Sequence, residues 1–249
     1  MRVLRLFTVA VALAVPALAM AQQITVSTAA SLTDAFKELG PKFEASKPGT
    51  TVRFNFGASG ALLQQISQGA PADVFVSADQ ETMNRAVVQN LIDIDSRRNF
   101  VSNSLVMIEP AKGGAGLKSL QDLTGASVRK IAIGKTATVP AGRYTKEALD
   151  NAKLWTALEP KFVQADNVRQ VLDYVSRGET EAGFVYRTDA AIMASKVKVV
   201  LTATGHSPIA YPIAVVSESR QKAIARDFIA FLYTDAAQQV LARYGFGKP

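Results

Sequence analysis

The sequence predicts an α/β protein with two lobes, each a mostly parallel sheet flanked by helices. Short β-branched and aromatic runs alternate with amphipathic segments throughout the chain, which is typical of parallel sheets covered by helices. This pattern restarts near Val101 and returns near Tyr211, so we expect the chain to cross twice between the lobes through a hinge. The 249 residues are enough for two modest cores. We expect one lobe from 24–102 plus 211–249 and the other from 103–210.

Residues 1–21 have the features of a cleaved secretory signal peptide. Arg2 and Arg5 precede an apolar run, and residues 19–21 form a small-x-small cleavage site. The run is too short to span a membrane. The chain has no cysteine, which excludes disulfides, thiolate metal sites and a lipid-anchored cysteine. We therefore expect a soluble periplasmic protein that begins near Gln22.

The charge balance argues against nucleic acid as a partner. The formal net charge is +7, and about +5 without the two arginines of the signal peptide. The basic residues are scattered and do not cluster with aromatic ones, as they do in nucleic-acid interfaces. A mild positive excess would steer small anions toward the protein without specifying one.

The elements of the first lobe follow from alternating and helical periodicity. Strands are expected at 24–28 and 51–56, within 69–79, and around 101–108. Helices are expected from Ser31, after the glycine-rich turn at 57–60, and at 83–90. After the return, the same patterns predict a strand at 209–216 and helices at 221–233 and 236–244.

The second lobe shows the same alternation of strand and helix. Strands are expected at 130–133, 161–164, 181–186 and 197–201. Helices are expected at 117–123 and 144–158, after the Asp166-Asn167 cap, and from Asp189.

Several strand-to-helix corners are rich in small residues and hydroxyls. In an open α/β sheet, ligands bind outside the carboxyl ends of the strands, and helix N-termini offer amide donors to anions. The corners place candidate donors at five uncharged positions: Ser31, Ser59, Ala141, Val168 and Tyr186. A ligand that meets all five would be small, compact and covered in acceptor oxygens.

Two ordinary explanations of these corners stay open at this point. Ser31, with Asp34 three residues later, also fits a helix-capping pattern. The turn at 57–60 could be a plain glycine-rich connection. Asp34 and Asp166, the acids nearest to the candidate positions in sequence, are both expected to cap helices.

The sequence gives little support for catalysis or metal binding. A serine hydrolase would have to pair Ser59 with His206, the single histidine, and the turn at 57–60 misses the G-x-S-x-G pattern by one position. We expect no metal cation site, because the chain has a single histidine, no cysteine and no clustered acids. Asp73 and Asp79 are expected to have capping and turn roles. No nucleotide-binding glycine motif is present.

Five motifs, spread over essentially all of 24–246, resemble those of the periplasmic molybdate-binding proteins of ABC importers. They are Ala-Ala-Ser-Leu-Thr at 29–33, Gly-Ala-Pro-Ala-Asp-Val-Phe-Val-Ser-Ala-Asp-Gln at 69–80, Val-Pro-Ala-Gly at 139–142, Phe-Val-Tyr at 184–186 and Arg-Tyr-Gly-Phe at 243–246. The second motif is shared with neighbouring oxyanion binders, whereas the first, third and fourth in this order are more specific.

The resemblance implies a type II-like, two-lobe binding protein that is not an enzyme and needs no cofactor. It implies that molybdate, and tungstate as well, is held between the lobes and passed to a membrane ABC permease by a monomer. It places ligand hydroxyls on Ser31 and Ser59, further backbone donors at Ala141 and Val168, and a phenol donor on Tyr186. Family members often have more serines in the second corner, where this chain has only Ser59. Another tetrahedral oxyanion, such as sulfate, is the alternative ligand.

Overall fold

The structure, a computed structural model, describes residues 22–249 and contains two five-stranded sheets flanked by helices. The expected signal peptide, 1–21, lies outside the described residues. No helix within 22–249 is both long and apolar enough to cross a membrane.

The strands and helices alternate along the described chain. The ten strands of residues 22–249 are β1 (Gln22–Ala29), β2 (Thr50–Gly57), β3 (Val74–Val76), β4 (Arg98–Ser102), β5 (Leu105–Pro110), β6 (Ile131–Gly134), β7 (Phe162–Ala165), β8 (Ala182–Tyr186), β9 (Val197–Thr202) and β10 (Ala210–Val215). The α-helices there are α1 (Thr33–Ser46), α2 (Ser59–Ser67), α3 (Gln80–Val88), α4 (Pro140–Asn151), α5 (Trp155–Leu158), α6 (Val168–Ser176), α7 (Arg187–Ile192), α8 (Lys222–Leu232) and α9 (Asp235–Arg243).

Each sheet has four strands in one direction and a single reversed strand. The first sheet has the order β2-β1-β3-β10-β4, and β10 is antiparallel to both of its neighbours. The second has the order β7-β6-β8-β5-β9, and β5 is antiparallel to both of its neighbours. The reversed strands are the first that the chain forms after each crossing. β10 begins at Ala210, one residue before the boundary expected from the sequence.

The first sheet is covered on both faces because its strands alternate between two apolar clusters. In β3, Val74 and Val76 pack into the larger cluster, whereas Phe75 packs into a smaller one under α2 and α3. Phe36 of α1 and Phe228 of α8 meet edge to face at 6.0 Å on the larger side. That cluster continues into the second sheet, so apolar packing reaches across both sheets.

Two expected elements are divided in the structure. The strand expected around 101–108 is wrong as a single element, because β4 and β5 belong to different sheets and the chain crosses between them. The helix expected at 144–158 begins earlier, at Pro140, and ends at Asn151, just before Lys153 takes a left-handed conformation with φ of 59°. Proline at the first helical position favours the earlier start.

The carboxyl ends of the central strands meet at one edge of each sheet. Ala29 of β1 pairs with Gly57 of β2, and Thr28 pairs with Val76 of β3, so these strands end together. In the second sheet, Gly134 of β6 pairs with Ala165 of β7. The corners that follow these strands carry the candidate residues.

Candidate functional site

The five candidate residues line one small cavity between elements of the two sheets. The space inside it is far below the roughly 300–1,000 Å³ typical of sites for drug-sized ligands, so the cavity suits only a compact ion. Besides the five candidates, the lining consists of small, apolar or amide residues: Ala29, Ala30, Gly57, Ala58, Ala78, Val139, Pro140 and Asn167.

Ser31 lies in a single 3₁₀ turn, Ala30–Leu32, that joins β1 to α1. The capping explanation for Ser31 is wrong, since neither this turn nor α1 has a side-chain cap. The Ser31 hydroxyl lies instead 2.9 Å from the phenol oxygen of Tyr211. As a residue of the first turn, Ser31 also has a backbone N–H with no carbonyl one turn earlier to accept from it.

Ser59 is the first residue of α2 and is fully buried. Its Oγ accepts a hydrogen bond of 3.0 Å from the N–H of Ala78, which follows β3. Because the serine oxygen already accepts from this amide, its own proton remains available to donate. The next amide, of Gly60, donates to the carbonyl of Thr138 at 2.9 Å and so joins α2 to the loop before α4.

Ala141 and Val168 present backbone donors from the second sheet's corners. Both lie in the first turn of a helix, where amide protons have no intrahelical acceptor. Ala141 sits close to β6 because Gly142 has no side chain; a Cβ there would lie 2.0 Å from the Gly134 carbonyl oxygen. At α6, the side chain of Asn167 caps the helix by accepting from the N–H of Gln170, as predicted.

Tyr186, at the end of β8, is a buried phenol at the cavity wall. Its hydroxyl donates a long hydrogen bond of 3.5 Å to the carbonyl oxygen of Ala78. Burial raises the pKa of Tyr186 well above its usual value, with Tyr211, Tyr144 and nearby carboxylates adding to the rise. The phenol is therefore protonated at neutral pH and can act as a donor.

The residues that line the cavity include no Asp, Glu, Lys or Arg. The two acids expected to cap neighbouring helices have other partners, which corrects that expectation. Asp34 pairs with Arg169 at 2.7 Å, and Asp166 pairs with Lys135. Asp79 caps α3 as predicted, whereas Asp73 accepts from the N–H of Thr25 in β1 instead of forming a local turn.

Arg143 of α4 joins the second sheet's elements to the first on one side of the cavity. Its guanidinium donates to the Asp79 carboxylate, with 2.8 Å from Nε to Oδ2, and to the hydroxyl of Thr82 at 2.6 Å. Both side chains of the ion pair are largely buried, at 12% and 5% exposure. A charge-assisted pair shielded in this way is stronger than one on an open surface.

Arg169 of α6 makes the corresponding connection on another side. It contacts Asp34 of α1, the carbonyl of Ser31, and Asp189 of α7. Asp189 is fully buried, and this burial raises its pKa to about 6 although Arg169 acts in the opposite direction. Burial lowers the pKa of Arg169, but Asp189 and Asp34 together leave it raised, so the guanidinium is charged.

The structure does not bring Ser59 and His206 together as a hydrolase would require. The imidazole nitrogens of His206 lie 2.8 Å from the Ser207 carbonyl oxygen and 3.2 Å from that of Ala203. The Ser59 hydroxyl is engaged by Ala78. Within residues 22–249, no three potential metal-ligating side chains cluster as a cation site.

Four residues around the site were missed by the sequence analysis: Tyr211, Asn103, Arg143 and Arg169. Each acts through contacts between segments far apart in the chain, such as the 180 positions between Ser31 and Tyr211. For Tyr211, the one sequence feature that could have indicated a role was its position at the expected return crossing. Nothing in the sequence pattern connects it to Ser31.

Comparison with known proteins identifies the family. The family model of bacterial extracellular solute-binding proteins matches residues 24–247. The molybdate-binding protein ModA of Escherichia coli is 39% identical over 237 residues, which cover 92% of this chain and 91% of that protein. ModA of Haemophilus influenzae is 35% identical over 232 residues, which cover 92% of this chain and 91% of that protein.

The structure of the periplasmic molybdate-binding protein of Azotobacter vinelandii is also similar. It is 26% identical with a TM-score of 0.77, and the match covers 91% of this chain and 99% of that one. The chain therefore belongs to the bacterial extracellular solute-binding proteins, in the family that contains these ModA proteins.

Proposed function

We propose that this chain is a periplasmic binding protein that captures molybdate, and tungstate as well, and delivers it to a membrane ABC permease. The observation that carries the proposal is the cavity in which Ser31, Ser59, Ala141, Val168 and Tyr186 meet. The molybdate-binding relatives support the same ligand. Molybdate is a transported ligand in this proposal and not a cofactor, and the chain works as a monomer without catalysis.

The donors suit a dianion with no proton of its own. First-turn amides, two serine hydroxyls and a protonated phenol are all able to donate, and hydrogen bonds to a charged acceptor are roughly twice as strong as neutral ones. Because the charge of the anion is met by neutral dipoles, the cavity needs no lysine or arginine. The arginines of α4 and α6 instead pair with carboxylates outside it.

The donors also predict which anions are refused. Phosphate near pH 7 keeps at least one O–H, which needs an acceptor when buried. The carbonyl of Ala78, a residue of the cavity lining, already accepts from the Tyr186 phenol. A buried unpaired donor costs about 1–3 kcal/mol, so phosphate should bind roughly tenfold worse or more than a bare dianion of the same size. Sulfate has no such proton, but its shorter bonds leave some donors out of reach.

We further propose that 24–102 plus 211–249 and 103–210 are lobes that close around the ligand by bending at the two crossings. The contacts of Gly60, Arg143 and Arg169 across the cavity support this, because they can form only when the two sheets' corners are close. A ligand that touches both lobes favours the closed state.

Competition calorimetry at one pH and ionic strength tests the ligand assignment. We expect molybdate and tungstate to bind with similar affinity, sulfate to bind much more weakly, and phosphate to bind most weakly. Sulfate binding as tightly as molybdate would make sulfate an equally good ligand and overturn the molybdate assignment. Tight phosphate binding would show that the site offers an acceptor to the phosphate O–H. No binding of molybdate at millimolar concentration would refute the proposal.

Small-angle X-ray scattering tests closure on the same samples. The radius of gyration should decrease when molybdate is added to protein purified without it. A radius that is unchanged, in protein that binds molybdate by calorimetry, would refute the closing lobes while leaving the ligand assignment intact.

A further inference from the structure

Tyr211 lies behind Ser31, outside the cavity lining, and is fully buried. Its phenol oxygen is 2.9 Å from the Ser31 hydroxyl and 3.2 Å from Nδ2 of Asn103. We propose that Tyr211 and Asn103 are positioning residues, which hold the Ser31 hydroxyl as a donor to the bound anion and thereby contribute to anion selectivity. This inference rests on the proposed function, since it concerns the same ligand.

The orientation of the Asn103 amide fixes the direction of the first hydrogen bond. Its Oδ1 accepts from the N–H of Ser104 at 2.9 Å, so the other end of the amide is the NH₂ group. This group donates to the hydroxyl of Thr188 at 2.9 Å and to the phenol oxygen of Tyr211. An amide NH₂ can only donate, and Tyr211 is therefore an acceptor toward Asn103.

The direction of the second hydrogen bond follows from the burial of Tyr211. If Ser31 donated to Tyr211, the phenol would accept twice, and its own proton would have no acceptor among residues 22–249. A buried O–H without an acceptor is disfavoured. Burial also raises the pKa of Tyr211 well above its usual value, so the phenol keeps its proton. Tyr211 consequently donates to Ser31, and the Ser31 proton is directed to the ligand.

The same hydrogen-bonded chain connects the ligand site to both crossings. Asn103 lies between β4 and β5, and its backbone N–H donates to the carbonyl of Ile209, just before β10. Tyr211 is the second residue of β10, and its ring packs 5.8 Å from that of Tyr186, another cavity residue. A change in the geometry of the crossings therefore moves the group that orients Ser31.

The direction of the hydrogen bond from Tyr211 to Ser31 affects which anions bind well. While Tyr211 donates to it, Ser31 meets the anion with a proton, which favours a bare dianion such as molybdate. Without the phenol O–H, Ser31 can turn a lone pair toward a protonated anion such as phosphate. Loss of the Tyr211 hydroxyl should thus weaken molybdate binding more than phosphate binding.

The test is calorimetry with molybdate and phosphate on Tyr211→Phe, which keeps the ring and removes only the hydroxyl. We expect molybdate to bind about tenfold more weakly, and the ratio of molybdate to phosphate affinity to fall by a similar factor. In a Ser31→Ala background the same substitution should change molybdate affinity less than about twofold, because no hydroxyl remains to be oriented. Tyr233→Phe is the control, since its phenol donates to the carbonyl of Asn99 at the surface.

Two outcomes would overturn the inference. These are an unchanged ratio of molybdate to phosphate affinity in Tyr211→Phe, and the same loss of molybdate affinity whether or not Ser31 is present. If Tyr211→Phe fails to fold, Asn103→Leu serves instead; it removes the donor to Tyr211 and should shift the ratio in the same direction, and an unchanged ratio there is equally decisive. Failure of the wild-type chain to bind molybdate would refute the proposed function itself, which separates the two conclusions.

Discussion

Substitution of Gly60 by alanine should prevent full closure while leaving the open protein intact. Gly60 is the second residue of α2, and its N–H donates to the Thr138 carbonyl across the cavity. A Cβ at Gly60 would lie 2.7 Å from that oxygen and 2.8 Å from the Thr138 Cα, whereas ordinary contact begins at 3.4 Å. Both obstructing atoms are backbone, so no side-chain rotation relieves the overlap, and the two segments must move apart.

The magnitude follows from the bonds that this movement weakens. The Gly60 to Thr138 hydrogen bond contributes about 0.5–1.5 kcal/mol, and one misaligned donor to the anion costs about 1.5–3 kcal/mol more. Together these predict a loss of about 2–4.5 kcal/mol, or roughly 30- to 2,000-fold in molybdate affinity. Without ligand, the substitution should not lower the free energy of unfolding and can raise it. Alanine is favoured over glycine in a helix by up to about 1 kcal/mol.

Calorimetry, scattering and denaturant unfolding on Gly60→Ala measure these three quantities. We expect weakened molybdate binding, a radius of gyration that decreases less on ligand addition, and an anion-free stability equal to or above that of the wild type. Gln64→Ala, on the exposed face of the same helix, controls for adding alanine to α2. Wild-type affinity in Gly60→Ala would show that the close approach is unnecessary for binding.

Three further predictions concern the ligand donors and the charged contacts around them. Ser59→Ala should weaken molybdate binding by about 1.5–3 kcal/mol in calorimetry, whereas Ser67→Ala, at the exposed end of α2, should not; equal effects would contradict a ligand role for Ser59. Arg143→Met removes the partner of Asp79 across the cavity and should weaken binding about tenfold; an unchanged affinity would mean that closure does not need this pair. The raised pKa of Asp189, about 6 in the fold, predicts that its contribution to the free energy of unfolding is largest below pH about 4. That contribution should be lost as the pH rises through about 6, by up to about 3 kcal/mol. Unfolding of Asp189→Asn from pH 4 to 7 should lack this component, and an unaltered pH profile would contradict the assignment.

The five candidate positions could be predicted from the sequence because the physics that selects them is local. Ser31 and Ser59 each lie in the first helical turn after a strand, so their N–H groups lack an acceptor one turn earlier whatever the rest of the chain does. The carboxyl ends of parallel strands share one edge, which brings successive corners of one sheet together. Local pattern and sheet topology thus predict the corners of each sheet, but not that the corners of the two sheets meet at one cavity.

Contacts across the sheets could not be predicted in this way. The pairing of Arg169 with Asp34 spans 135 residues, and the sequence offers Asp34 an equally good local use as a helix cap. The division between β4 and β5 was hidden for a related reason. Phe100 and Val101 of β4 lead into the apolar run of β5 as one β-prone pattern. The change of sheet between them is set by tertiary packing, which the pattern does not reveal.

In the proposed site, different residues discriminate between anions and hold the corners of the two sheets together. A lysine or arginine inside the cavity would attract any small anion, protonated or not, so it would add affinity at the expense of discrimination between molybdate and phosphate. Neutral donors discriminate by the presence of a proton on the ligand, but they contribute little to holding the corners together before a ligand arrives. The ion pairs of Arg143 and Arg169, which lie outside the cavity, hold the corners together.

Because apparent affinity is proportional to the fraction of molecules in the binding-competent state, each of these pairs strengthens the binding of every anion by the same factor. Substitutions at the two arginines should therefore change affinity without changing selectivity, whereas substitutions at Tyr211 should change both.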